Sequence, residues 1–253
     1  MNDMLHKSRP LVIFAGLLAV WYLVTLTGIP AYMLPTPMSV AHALWTQHAY
    51  LGEHTLTTLG EILLGLASGL VLGALAALAM MFSPRLQRWL MPVLIVSQAI
   101  PVFALAPLLV LWFGFGIASK VVMSTLVIFF PVTASFFDGL RRTDTGWLDL
   151  ASTMSASTAS SLLHVRLMAA LPAFGSGLRV AAAVAPIGAI IGEWVGSSSG
   201  LGFVMLSANA RMQTETCFAA LFILALMAIA LYQIVDIALR RLLYWVPDSN
   251  RLD

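Results

Sequence analysis

LGEILLGLASGLVLGALAALAMMF, residues 59–82, carries a single charged side chain, Glu61, in 24 positions. The hydrocarbon core of a bilayer is about 30 Å thick and takes about 20 apolar residues as a helix, so this stretch is long enough and apolar enough to span. Gly65, Gly69 and Gly73 recur at every fourth position. They share one helix face and let another backbone approach closely, so helix packing is the simpler use of that face and lining a pathway the other.

Five further stretches read the same way, at about 11–27, 90–113, 121–140, 169–191 and 218–239. The expected fold is an all-α membrane protein with six transmembrane helices, the whole chain 1–253 forming a single transmembrane domain. Composition agrees: 60% of residues are hydrophobic and 9% charged, against roughly 25% charged in soluble domains, and mean hydropathy is +0.93. A soluble globule cannot cover its surface with so few charges. The net charge of +2 is small and its basic residues are dispersed, which argues against a nucleic-acid partner. The lone Cys217 excludes an internal disulfide and a thiolate metal cluster. The first stretch has no small-x-small cleavage site after it, only Gly28-Ile29-Pro30-Ala31-Tyr32, so it reads as a retained span rather than a signal peptide.

Six spans put ten of the basic residues on one side: Lys7, Arg9, Arg85, Arg88, Arg141, Arg142, Arg166, Arg240, Arg241 and Arg251. Lys120 and Arg211 are left for the other. By the positive-inside rule both termini are cytoplasmic, and an even number of spans is required to keep the charges sorted. Pro101, Pro107, Pro131 and Pro186 fall inside spans, where each interrupts the backbone ladder and neighbours must satisfy the freed carbonyls. The largest polar block on the basic side runs from Arg141 to about Arg166. Thr143-Asp144-Thr145 looks like a helix start, and Leu148, Ala151 and Met154 fall on one helical stripe. A short helix of small residues exposed there can enter a groove on a partner protein; an interfacial loop is the plainer alternative.

Several segments together carry a resemblance. Asp149-Leu150-Ala151, Ser155-Ala156-Ser157, Ala169-Ala170-Leu171-Pro172 and Gly177-Leu178-Arg179 resemble the EAA loop of bacterial ABC importer permeases, in particular those for nitrate, sulfonates, taurine and pyrimidine precursors. Gln98-Ala99-Ile100-Pro101 with Ala104 to Leu108 is similar to that family's usual sequence. So are Trp112 to Gly116 with Ser119-Lys120, Gly192-Glu193 with Gly200-Leu201-Gly202, and Leu34-Pro35-Thr36-Pro37. The likeness runs from about Leu34 to Leu239. Three positions depart from the pattern: Asp149 stands for the motif's Glu, Ser155 for its glycine and Met168 for a proline. Ser155 is harmless in a helical backbone but crowds a closely approaching partner.

The resemblance implies a type I ABC importer permease fold with a cytoplasmic coupling helix between helices 4 and 5, within segment 141–166. It implies an inner-membrane, multi-pass subunit, surrounded by lipid and working with a second copy of itself. Its other partners are a cytoplasmic ABC ATPase dimer and a periplasmic or extracellular substrate-binding protein. The coupling residues would be Arg141, Asp149, Leu150, Ala151, Met154, Ser155, Ala156 and Ser157. The chain has no G-x-x-x-x-G-K-[ST] phosphate loop, so ATP and magnesium belong to the ATPase, and this chain itself is expected to be no enzyme and to hold no cofactor. ATPase closure would draw the coupling helices together and open the pathway outward, a two-state element biased from a distance. An ion-gradient secondary transporter is the rival class, but it calls for paired charges and broken helices near the midplane, of which the sequence offers little.

Candidate pathway residues are Gln98, Pro101, Phe103, Phe130, Arg179 and Glu193. Phe103 and Phe130 are aromatic faces on which a planar ring can stack. Arg179 and Glu193 are the charges deepest in a span, where ions face a partner or a wet cavity; Arg179 suits a structural or coupling role, and Glu193 a cap for the loop beyond Trp194. Glu61 and Asp138, near span ends, are expected to be solvated. Gly196-Ser197-Ser198-Ser199-Gly200 matches G-x-S-x-G, but that elbow needs a strand–turn–helix and a later histidine, and the last histidine is His164. A turn outside the membrane is the expectation. His42, His48 and His54 lie six apart, roughly 240° on a helix at about 100° per residue, so they form no shared metal face and read as surface histidines. Ala208 to Gln213 with Phe218-Ala219-Ala220 resembles the pyrimidine-precursor branch, which points to a thiamine pyrimidine precursor of the hydroxymethylpyrimidine type, with sulfonate, taurine or nitrate as the other substrates.

Overall fold

The computed structural model describes residues 2–246; Arg251 lies outside them, as do the side chains of Lys7 and Arg9. The described chain is helical throughout: α1 Asn2–Thr25, α2 Pro37–Thr46, α3 His48–Phe82, α4 Pro84–Ala99, α5 Val102–Phe113 and α6 Ile117–Arg141 come first. Then follow α7 Thr145–Thr153, α8 Thr158–Ser161, a π-helical turn Leu162–Arg166, α9 Leu167–Gly196, α10 Leu201–Ala210 and α11 Thr214–Leu242. Local chemistry explains several starts. Thr36 and Ser83 each accept a backbone N–H through the side-chain oxygen, at 3.2 Å from Ser39 and 3.3 Å from Leu86. Pro37 and Pro84 then occupy the first helical position, where the missing N–H costs nothing.

Four helical stretches among the described residues are long and apolar enough to cross a membrane: His48–Phe82, Ile117–Arg141, Thr158–Gly196 and Thr214–Leu242. They cover the expected spans at 59–82, 121–140, 169–191 and 218–239. At 35 residues α3 is about 52 Å long, so it extends well beyond a hydrocarbon core. The expected straight span at 90–113 is instead two helices, α4 and α5, bent by 104°. Pro101 explains the break: it disfavours helical geometry at Ile100, which is extended (φ −80°, ψ 121°), and has no N–H to continue the ladder. Pro131, Pro172 and Pro186, by contrast, sit inside unbroken helices. The stretch 11–27 falls on α1, whose described apolar part, Ala15–Thr25, is shorter than a span. Among the described residues four helices, or five spans if the bent pair is one, are long and apolar enough to cross, and the sixth expected span, 11–27, is described only in part.

The centre of the bundle is α6, packed along its length on α9 and on α3. Small residues make that possible. A Cβ on Gly65 would lie 2.2 Å from Ser124 Cβ, one on Gly69 2.6 Å from Ile128 Cγ2, and one on Gly73 2.9 Å from Val132 Cγ1. At the same residue of α6, a Cβ on Gly188 of α9 would lie 2.6 Å from Ser124 Cα. Between the three helices Ile62, Ile128, Val132, Ala181, Ala185 and Ala189 form a fully buried core. The ends of the bundle close on two further apolar clusters, Met80, Leu94, Phe136, Phe137 and Leu140 near the α6–α7 junction and Val40, Leu51, Leu201, Val204 and Ala219 at the opposite end.

Because Gly65 has no room for a side chain while Gly60 has nothing within 4 Å of its Cβ position, the two should respond differently. Gly65→Ala should lower stability by about 1–3 kcal/mol through overpacking against α6, and Gly60→Ala should be neutral or slightly stabilising. Thermal unfolding of the purified chain in detergent compares them.

Candidate functional site

The segment between α6 and α9 leaves the bundle. Thr143, buried, ties the end of α6 by donating from Oγ1 to Leu140 O at 3.1 Å, and Asp144 starts α7 by accepting the Gly146 N–H at 2.7 Å. On α7 the inner face is Leu148 and Ala151, while Trp147, Leu150 and Met154 are largely exposed. Met154 thus leaves the stripe it shares with Leu148 and Ala151 in sequence, because α7 ends at Thr153. Asp149 and Arg141 are exposed as well. Alongside α7 runs an open groove of about 610 Å³, lined by Trp147, Leu150, Ala151, Met154, His164 and Trp245 among others.

The turn that ends α7 accounts for the motif's glycine position. Ala156 N–H donates to Ala151 O at 3.0 Å and Ser155 N–H to Ser152 O at 2.9 Å, the two bonds of a Schellman cap. That cap puts Ser155 in the left-handed region, at φ 57°. Serine is therefore not in a helical backbone here, and its cost falls on its own conformation rather than on an approaching partner. Ser157 is occupied locally, its Oγ accepting the Ser160 N–H at 3.2 Å to start α8.

The pathway candidates do not converge. Gln98, Pro101 and Phe103 lie exposed around the α4–α5 bend, Phe103 meeting Trp194 edge-on with ring centroids 6.5 Å apart. Phe130 is half-buried against the cluster of Met80, Leu94 and Phe136. Arg179 is committed to α11: its Nε donates to Asp236 Oδ1 at 2.6 Å, and Arg240 Nε holds the other oxygen at 2.8 Å.

Glu193 belongs to a buried polar cluster at the end of the bundle opposite α7. Its carboxylate accepts the Thr58 hydroxyl at 2.6 Å and the Gly202 N–H, so it caps α10 rather than the loop beyond Trp194. Beside it Lys120 Nζ donates to Glu61 Oε1 at 2.7 Å. Lys120, Glu61 and Glu193 are 5%, 1% and 1% exposed. The expectations of a solvated Glu61 and a loop Lys120 are thereby overturned: α6 starts at Ile117, which draws Lys120 into the helix–helix contact, and α3 continues outward past Glu61 by more than three turns. Asp138 is exposed as expected, 3.8 Å from Arg142. His54 is also buried, not on the surface; its Nδ1 accepts the Gly200 N–H at 2.9 Å. A histidine therefore does reach the Gly-Ser-Ser-Ser-Gly turn, but its bond goes to a glycine amide, and the turn joins two helices with no strand.

The model of the family described as binding-protein-dependent transport system inner membrane component matches residues 69–244. The chain belongs to this family. The permease is 54% identical to a probable ABC transporter permease protein of Haemophilus influenzae, over 94% of this chain and 98% of that one. It is 37% identical to the formylaminopyrimidine transport permease protein ThiX of Halalkalibacterium halodurans, over 87% and 89%. With the taurine transport system permease protein TauC of Escherichia coli it shares 31% over 96% of both chains. A crystal structure of an amino acid ABC transporter with histidines shares the fold, with TM-score 0.60 at 18% identity, covering 78% of this chain and 96% of that one. The permease is thus an ABC transporter subunit of the inner membrane, built of several apolar helices, in a family of transport proteins rather than enzymes.

Sequence reasoning missed the joining of Glu61, Lys120, Thr58 and His54 with Glu193. The available signal was that Glu61 and Lys120 each stand at the edge of a long apolar run, a placement that in a membrane calls for a partner. Lys120→Met leaves Glu61 buried without its counter-ion and should cost about 3–5 kcal/mol; the double variant Lys120→Met/Glu61→Leu should recover much of that. Ser155→Gly should stabilise the permease by about 1 kcal/mol by relieving the left-handed serine, and Ser155→Val should destabilise it. Unfolding midpoints in detergent report all of these.

Proposed function

We propose that the permease is the transmembrane subunit of an ATP-driven, binding-protein-dependent importer of the type I fold, six spans to a chain with both termini cytoplasmic. In this reading the single domain 1–253 pairs with a second copy in the lipid bilayer. ATP and magnesium act on a separate cytoplasmic ATPase dimer, and a soluble binding protein delivers the solute from the other side. The observation that carries the reading is the family match over 69–244, and the place of α7 supports it. That helix stands outside the bundle between two apolar helices and presents Trp147, Leu150 and Met154 to its surroundings, an apolar face suited to a groove on a partner. We assign coupling to Arg141, Asp149, Leu150, Ala151, Met154, Ser155, Ala156 and Ser157, and the pathway to the α4–α5 bend with Gln98, Pro101 and Phe103. Phe130, Arg179 and Glu193 serve the bundle that frames it.

For the solute, a thiamine pyrimidine precursor is the best reading, ahead of sulfonate, taurine or nitrate. Support comes from the 37% identity to a formylaminopyrimidine permease, against 31% to a taurine permease. A riboflavin transport system permease at 36% points likewise to a planar heterocycle.

Purification of the tagged permease in mild detergent should bring a stoichiometric ATPase with it; a chain that purifies alone yet moves a solute under an ion gradient is a secondary transporter. Asp149→Lys and Ala151→Asp should leave the permease inserted but abolish uptake by parting ATP hydrolysis from transport. Uptake at the wild-type rate from either, at equal expression, would remove α7 from the coupling role.

A further inference from the structure

The amino end of α10 has no cap of its own. It begins at Leu201 after Gly200, and no side chain nearby in sequence before it accepts its first N–H groups. The first four amides of any helix lack intrahelical partners, and here those of Gly200, Leu201 and Gly202 are buried. Three side chains from two other helices take their place. His54 Nδ1 of α3 accepts Gly200 N–H at 2.9 Å, Thr58 Oγ1 of α3 accepts Leu201 N–H at 2.8 Å, and the Glu193 carboxylate of α9 accepts Gly202 N–H. The set is closed on itself: the Thr58 hydroxyl proton goes to Glu193 Oε1 at 2.6 Å. An anion at this position also meets the positive end of the helix dipole.

The surroundings are shaped to the carboxylate. A Cβ on Gly200, which has φ +104°, would lie 2.2 Å from Glu193 Cδ, and one on Gly202 2.9 Å from Glu193 Oε2. The group thus fills space left by two absent side chains. Tyr50 meets the His54 ring edge-on, centroids 4.4 Å apart, and Phe203 lies at 5.8 Å, fixing the imidazole. Breaking the set strands amides, a hydroxyl and a carboxylate away from water, where each lost partner is expensive. At its other end α10 runs into Asn209–Gln213, all exposed, and this end of the molecule faces away from α7.

We propose that Glu193 is a positioning residue: with Thr58 and His54 it fixes the direction of α10 from its buried end and so presents the exposed 209–213 tip in one orientation to the soluble binding protein. The docking part rests on the importer reading above. A tip that is ordered only on docking lowers the fraction of permease ready to bind, and the apparent affinity falls by that fraction.

Glu193→Gln keeps the shape but has one acceptor oxygen for two donors, Thr58→Val removes the hydroxyl, and Thr58→Ser retains it. In the purified permease, amide exchange over 200–206 should rise at least about tenfold in the first two variants and stay at wild-type level in Thr58→Ser, with α6 unchanged in all. With its ATPase in nanodiscs, the binding-protein concentration for half-maximal stimulation should rise at least about tenfold at unchanged maximal rate. Unchanged exchange in Glu193→Gln and Thr58→Val would show that the cap does not hold α10. Faster exchange with unchanged half-saturation, or a loss of maximal rate alone, would reduce Glu193 to a structural role. Failure of the importer reading shows separately, as a wild-type permease that no binding protein stimulates.

Discussion

The close contact of α3 and α9 with α6 is the constraint on which the other features depend. Between helices surrounded by lipid there is little hydrophobic gain from association, so backbones must come near enough for dispersion and polar contacts to act. Gly65, Gly69 and Gly73 on α3, and Gly188 and Gly192 on α9, remove the side chains that would keep α6 away. Once the backbones meet there, Glu61 and Lys120 are within 2.7 Å and a buried ion pair forms. The same approach brings Thr58 to Glu193, at 2.6 Å. With larger residues at these positions the charges would be held apart in a medium that solvates neither.

This arrangement divides the molecule by chemistry as well as by space. At the end opposite α7 the polar groups are dry: His54, Thr58 and Glu193 hold three backbone amides, while Glu61 bonds Lys120 through one oxygen and leaves the other without a hydrogen-bond partner. Toward α7 the charges are wetter, with Arg179, Asp236 and Arg240 only partly covered. Beyond them α7 stands off the bundle on a side-chain cap at one end and a Schellman turn at the other.

The α4–α5 bend is a third kind of element. Its cause is local, a proline following a residue that it forces to be extended, yet its effect is to turn a single apolar run through 104°. On its arms Val93, Val96, Phe103, Leu111 and Trp112 are exposed, while Leu94, Ala106 and Leu109 are buried in the core.

Much of the architecture was legible in the residues. Apolar length marks α3, α6, α9 and α11, because a helix in lipid must be both long and uncharged, and the glycine repeat marks the contact face because only a missing Cβ permits it. Asp144 announces its helix start through a local hydrogen bond that tertiary context does not alter. Family membership, too, was visible in motifs that are contiguous in the chain. What sequence left undecided involves partners far apart along it. Glu61 meets Lys120, and Gly200 meets His54, only when α3 is brought against α6 and the start of α10. Periodicity reports which residues share a face, not what stands opposite. Ser155 shows the same limit on a smaller scale: its identity was readable, but its left-handed backbone followed from where α7 stops. Sequence by itself determined the four long apolar helices and the glycine face on which α3 packs. The tertiary structure decided which buried charges found one another, because a charge in a membrane interior takes its meaning from the group across from it.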